Sequence, residues 1–151
     1  DLGKQLARLP VDPRIARILL AGHREGALRE LLVLAAALSI QDPRERPLDQ
    51  REAADAAHAV WQDRQSDFAG LLRLWDVYRE QAHQRSRRKL KAWCQAHFLS
   101  PVRMREWSDV HGQLRGLVRG MGLAENSRAA KPAAIQKTRK PPIKNRRVVR
   151  I

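Results

Sequence analysis

The chain has one cysteine, Cys94, among its 151 residues. An internal disulfide is excluded, and nothing in the cysteine usage points to an oxidising compartment. Acidic residues are scarce beside basic ones, sixteen Asp and Glu against thirty Lys and Arg, for a net charge of +14. That balance disfavours basic partners and favours polyanions or anionic surfaces. Long apolar runs are also missing. The longest, Leu31 to Leu38, holds eight residues, whereas a bilayer span needs about 20. No charged-then-apolar leader precedes a cleavage site, so a cytoplasmic setting without membrane contact is expected. Residue 1 is Asp rather than Met, and the chain is expected to begin inside a longer protein.

Several chemical signatures are absent as well. There is no G-x-x-x-x-G-K-S/T phosphate loop and no G-x-G-x-x-G turn, hence no visible nucleotide cradle. There is no G-x-S-x-G or H-E-x-x-H. Cys94 and His97 have metal-like spacing, but a tetrahedral site needs a second ligand pair. Cys94 reads better as a small buried residue. The histidines, at 23, 58, 83, 97 and 111, are scattered, and no nucleophile, base and orienting group can be assembled. Neither a catalytic residue nor a metal ligand is expected here.

What is present is enough apolar material, 43%, for a real core. No six-residue stretch alternates apolar and polar with β-branched support, so an all-α fold is expected, a helical bundle. Asp12-Pro13 is an N-cap followed by proline at the first helical position. Residues 27–40 are apolar almost all round, as in a central helix. Pro43 and Pro47 mark 41–49 as a loop. Residues 50–62 form an Ala-rich helix. Ser66 or Asp67 caps a helix with the stripe Phe68, Leu71, Leu72, Trp75 and Tyr78. Residues 85–99 form another, carrying Leu90, Trp93, Cys94 and Phe98. The last helix has the clearest period, Trp107, Val110, Leu114, Leu117, Val118 and Met121, with Pro101 in its first turn. Trp61, Trp75, Trp93 and Trp107 sit on or beside these stripes and read as core rather than as stacking platforms. Composition changes near Gly122. The last 28 residues hold nine basic side chains, one acidic and no aromatic, and residues 124–151 are expected to form a disordered basic tail.

Three features suit a polyanion. The loop Gln41-Asp42-Pro43-Arg44-Glu45-Arg46-Pro47 holds two guanidinium forks on a stiff turn. Its arginines could equally pair with Asp42, Glu45 or neighbouring helices. Arg85, Arg87, Arg88, Lys89 and Lys91 put five positive charges in seven residues, also the pattern of a plain solvated face. The polar face of the last helix carries Arg103, Arg105, Asp109 and Gln113, also the pattern of a salt-bridged surface.

The words of the sequence then become recognisable. Leu9-Pro10-Val11-Asp12-Pro13-Arg14-Ile15-Ala16-Arg17 resembles the L-P-x-D-P segment of DEAH-box helicases, and Leu2-Gly3-Lys4-Gln5-Leu6-Ala7 before it is similar to the family's L-G-x-x-L/M-A. Ala36-Ala37-Leu38-Ser39-Ile40-Gln41-Asp42-Pro43-Arg44-Glu45-Arg46-Pro47 is very like the bacterial HrpA-type version. Ser66-Asp67-Phe68, Leu71-Leu72-Arg73-Leu74-Trp75, Trp93-Cys94, Phe98-Leu99 and Arg105-Glu106-Trp107-Ser108-Asp109-Val110-His111-Gly112-Gln113-Leu114 follow in order. The resemblance covers residues 1 to about 123.

This resemblance implies the end of a winged-helix module over 1–22 and a helical ratchet domain over 23–123, with 124–151 as the tail. It implies a role in gripping single-stranded RNA while RecA-like motor domains of the same parent chain hydrolyse ATP with magnesium, neither cofactor belonging to this segment. It makes Arg103, Arg105, Asp109 and Gln113 the first candidates for contact with the strand. Arg44 and Arg46 match the family's R-E-R-P words and suit either RNA or docking to the motors; Arg87 and Arg88 complete the candidate set. The family would continue toward an oligonucleotide-binding barrel, whereas this chain continues into Lys, Arg and Pro. A stand-alone basic nucleic-acid binder and a protein-docking module remain the alternatives.

Overall fold

The computed structural model describes residues 2–8 and 11–126. Seven helices occur among them: α1 Leu2–Ala7, α2 Pro13–Arg24, α3 Leu28–Leu38, α4 Arg51–His58, α5 Asp67–Gln84, α6 Arg87–Ala96 and α7 Pro101–Gly120. No strand is present among the described residues, and the extended backbone pairs in one isolated antiparallel bridge, Arg44 with Leu99. The fold is all-α, as the periodicity requires.

Local chemistry sets the helix starts. The Asp12 carboxylate accepts from the Arg14 N–H at 2.8 Å, and Pro13 gives up an N–H that has no helical partner there. Ser66, Ser86 and Ser100 cap α5, α6 and α7 by accepting from the N–H three residues on. Gly26, at φ +69°, makes the turn between α2 and α3. Gly22 permits their close approach: a Cβ there would lie 2.9 Å from Leu31 Cβ.

Helix α3 is the centre of the packing. It meets α2 on one side and α7 and α5 on others. Leu28, Leu32, Ala35 and Ala36 are fully buried. Trp107 of α7, also fully buried, donates its indole N–H to the Val33 carbonyl at 3.0 Å. The aromatic ring therefore fills the core, and its polar edge is satisfied inside it. All four tryptophans are buried, and Cys94 is buried with them. Burial pushes the Cys94 thiol up to about 11, so it remains a neutral packing residue.

Several expectations shift by a turn or less. The central helix is Leu28–Leu38 rather than 27–40, and α4 ends at His58 rather than running to 62. Phe68, expected in the α5 stripe, is 53% exposed, whereas Leu74 is fully buried. Phe68 shares an open surface pocket with Leu38, itself exposed at the end of α3, so the stripe begins effectively at Leu71. Helix α6 stops at Ala96, and Phe98 lies beyond it in the left-handed region at φ +52°. A non-glycine residue there is uncommon. The bend it makes returns Leu99 to the bridge with Arg44.

The boundary expected at 22 falls inside α2, whose Ala16 and Leu19 share the core with α3. Most of the tail expected over 124–151 lies outside the described residues. Of its first three positions, Ala124 is exposed, whereas Glu125 and Asn126 lie against the bundle. The Asn126 side chain accepts from the Leu28 N–H at 3.0 Å, and its carbonyl accepts from Arg29 N–H at 2.9 Å. This supplies the cap that α3 lacks from Ala27, its own N-cap residue. Glu125 pairs with Arg115 of α7. Composition assigned these positions to the tail because three residues are too few to shift a local average.

Candidate nucleic-acid interface

Six of the eight candidate residues separate into two places. Arg44, Arg46 and Arg103 gather around the 41–49 loop. Arg87 and Arg105 meet at the junction of α5, α6 and α7, with Arg88 exposed beside them. Asp109 and Gln113 continue along the outward face of α7, and Gln113 borders an apolar groove of about 630 Å³ with Ile15, Ile18, Leu38 and Val110.

The loop is held shut by its own charges. The Glu45 N–H donates to the Phe98 carbonyl at 2.8 Å, and the Ser100 N–H donates to the Pro43 carbonyl at 2.8 Å. These two bonds fasten the loop to the start of α7. Arg44, with a side chain 27% exposed, reaches Asp42 at 2.8 Å and Asp67 at 2.8 Å. Partial burial pulls the Asp42 carboxyl upward, but hydrogen bonds from Arg44 outweigh it and hold the group below the usual carboxylate range. Arg46 makes a forked pair with Asp55, at 2.7 and 2.8 Å. Arg103 donates to the Asp42 carbonyl at 3.1 Å. Asp42, Asp55, Asp63 and Asp67 line the same cleft as Arg44 and Arg46. An arriving phosphate would meet carboxylates alongside guanidiniums that are already occupied. The loop arginines are therefore built first as fasteners.

The other place has the opposite character. Arg87, Arg88, Lys89 and Lys91 are exposed on α6, as is Arg105 on α7. Among the described residues, none of their charged groups takes part in a salt bridge or hydrogen bond. The first turn of α6 carries no acidic residue, although the helix dipole favours one there. Like charges crowd where the backbone is already positive, so the edge gains by meeting an anion. Lys91 was not among the site candidates but lies one turn after Arg87. Its signal was the i, i+4 spacing within a basic run. Tyr78 belongs here too, and the sequence pattern assigned it only to the core.

Along α7 the outward face is open. Gly112, Gly116 and Gly120 follow at four-residue intervals, and a methyl group added at any of them would meet nothing within 4 Å beyond the helix's own backbone. Glycine inside a helix costs about 1 kcal/mol against alanine, and these positions leave the helix backbone accessible beside Asp109 and Gln113. Beneath this face His111 packs on Trp75 at 4.6 Å. Burial, with Arg79 and Arg115 nearby, lowers its pKa to about 4. His111 is thus a neutral packing group, not a proton carrier near neutrality. Among the described residues no group of three or more His, Cys, Asp and Glu is placed to hold a metal. No helix among them is long and apolar enough to cross a membrane.

Comparison with known proteins agrees with this architecture. A family model described as "Helicase associated domain (HA2), ratchet-like" matches residues 12–141. The chain is 43% identical over 129 residues to the ATP-dependent RNA helicase HrpA of Escherichia coli (strain K12), covering 85% of this chain and 10% of that protein. It is likewise 43% identical over 129 residues to the HrpA homolog of Haemophilus influenzae, again 85% of this chain and 10% of the relative. The human ATP-dependent DNA/RNA helicase DHX36 is 32% identical over 132 residues, 87% of this chain and 13% of the relative. The chain thus spans about a tenth of the length of these relatives.

Proposed function

The chain belongs to the ratchet-like, helicase-associated (HA2) family of DExH-box RNA helicases, in its HrpA-type form, and on that premise we propose that it grips single-stranded RNA while ATP-driven motor domains move the strand. The observation that carries this reading is the unpaired basic edge of α6 together with Arg105 and the open face of α7. A rigid bundle presents these groups to a backbone, and binding of that kind is electrostatic and sequence-tolerant. Arg105, Arg87, Arg88 and Lys91 neutralise phosphates. Asp109 and Gln113 lie further along the same face and suit contacts to sugar hydroxyls or base edges. Arg44, Arg46 and Arg103 hold the loop that anchors the start of α7.

The segment takes no part in ATP chemistry on this reading. The sequence carries no phosphate-loop motif. ATP, magnesium, the RecA-like domains and a bacterial cytoplasmic setting belong to the parent protein that the relatives suggest. The protein-docking alternative relied on Arg44 and Arg46 meeting acidic partners, and both already hold acidic side chains of this chain. Fusing RecA-like motor domains from an HrpA-type relative to residues 1–151 tests the proposal. RNA-stimulated ATP hydrolysis that falls at least tenfold when Arg87, Arg88, Lys91 and Arg105 become Gln is the expected result. A folded fusion whose RNA stimulation ignores this region contradicts it.

A further inference from the structure

At the junction of α5, α6 and α7 lies a small cavity of about 50 Å³, bounded by Tyr78, Arg87, Lys91, Cys94 and Arg105 among others. By the measure in which one water needs about 10–15 Å³, it admits about four water-sized atoms. That suits the oxygens of one tetrahedral anion. Three cations reach it from two helices, and none has a partner among the described residues. Tyr78 is 5% exposed, yet its hydroxyl makes no hydrogen bond among the described residues. The hydroxyl oxygen itself stays open to solvent, so it is free to donate to an acceptor that enters the cavity.

The geometry points to a phosphate pocket: Tyr78, Arg87, Lys91 and Arg105 receive one backbone phosphate of the bound RNA strand. This inference rests on the RNA-gripping reading and adds a defined subsite to it. The surroundings are consistent with an anion. Burial raises both the Tyr78 hydroxyl and the Cys94 thiol, so neither adds negative charge near neutrality. Asp109, the acidic group that acts on Tyr78 from α7, does not line the cavity. A tyrosine O–H donates one hydrogen bond, an arginine fork gives two, and a lysine supplies a point charge. Together they read a phosphate without reading sequence.

Tyr78 is the chain's one tyrosine, so protein labelled with ¹³C at tyrosine Cζ gives a single resonance from inside the pocket. Inorganic phosphate should shift that resonance saturably, in the millimolar range, and the response should vanish in Arg105→Gln. A ten-residue single-stranded RNA with hydroxyl ends should move it in the same direction. Equal responses to acetate and phosphate overturn the phosphate assignment. A response to 5′-phosphorylated RNA but not to hydroxyl-ended RNA overturns the backbone assignment. In parallel, Tyr78→Phe, which preserves shape and charge, should weaken RNA binding about tenfold with an unchanged salt slope. Arg105→Gln and Lys91→Gln should flatten the slope by about 0.7 in total when combined, since they share one phosphate. If RNA binds with steep salt dependence while the resonance stays still and Tyr78→Phe binds as the parent does, the pocket is wrong and the RNA reading survives. If phosphate moves the resonance but RNA does not bind, the RNA reading fails and the backbone assignment fails with it.

Discussion

The 41–49 loop and the leading edge of α6 are both rich in arginine, and they use it in opposite ways. In the loop each guanidinium is matched to carboxylates: Arg44 to Asp42 and Asp67, Arg46 to Asp55. On α6 the cations stand without partners among the described residues. Sequence counts alone make the two regions look like equal candidates for a polyanion. The difference teaches that unpaired charge, rather than charge, marks a surface awaiting a ligand. A paired arginine already has its favourable interaction, and a phosphate must compete for it. An unpaired cluster relieves its own repulsion when a phosphate arrives.

The comparison breaks most completely if the scaffold common to both regions is removed. Trp107 is fully buried and bonded to the Val33 carbonyl, so Trp107→Ala should cost about 3–5 kcal/mol. Denaturant unfolding would measure this, and RNA binding should disappear together with the helical signal. A smaller change separates the regions. Arg44→Ala strands Asp42 and Asp67 beside a fastened loop and should destabilise by roughly 1–3 kcal/mol. RNA affinity, measured where the variant is folded, should stay within about twofold. A loss of binding as large as that from the α6 cations would place the loop in the interface.

Acidification sharpens the contrast further, with a smaller effect. His111 is held near 4 in the folded chain and titrates near its ordinary value of 6.5 when unfolded. The unfolded state therefore binds more protons between those values, and stability falls as pH drops from 6.5 toward 4. With solvent screening allowed for, roughly 1–2 kcal/mol is expected. Asp42 and Asp55 have lowered values in the folded state. Their contribution is present above the ordinary carboxylate value and is lost as pH falls below it. The basic edge has only Arg and Lys, so RNA affinity should stay level from pH 8 down to about 5.5 while urea midpoints decline. His111→Phe should remove most of the decline above pH 4.

Much of the fold is legible in the sequence because its signals are local. Asp12-Pro13 and Pro101 announce helix starts, and the spacing from Trp107 to Met121 gives the buried face of α7. What is not legible depends on distant partners. The Arg44 pair with Asp67 spans 23 positions, and the Asn126 bond to Leu28 spans 98. Neither leaves a pattern in a local window. The bend at Phe98 is hidden for a related reason: a left-handed residue that is not glycine carries no compositional mark. The candidate site was half legible for the same cause. Arg87, Arg88 and Arg105 could be named from charge and periodicity. Their separation from Arg44, Arg46 and Arg103 required knowing where the acids lie.

The salt dependence of single-stranded RNA binding tests the division between paired and unpaired arginine most directly. Affinity of the chain for a short oligouridine would be measured by fluorescence anisotropy from low to moderate salt. The comparison is between the parent chain, the variant with Arg87, Arg88, Lys91 and Arg105 all changed to Gln, and Arg46→Gln. The fourfold variant should flatten the logarithmic slope by about 1.4, one phosphate in the pocket and one at Arg88 at about 0.7 each, and Arg46→Gln should leave it nearly unchanged. Equal flattening by Arg46→Gln alone, or an unaltered slope in the fourfold variant, would contradict it.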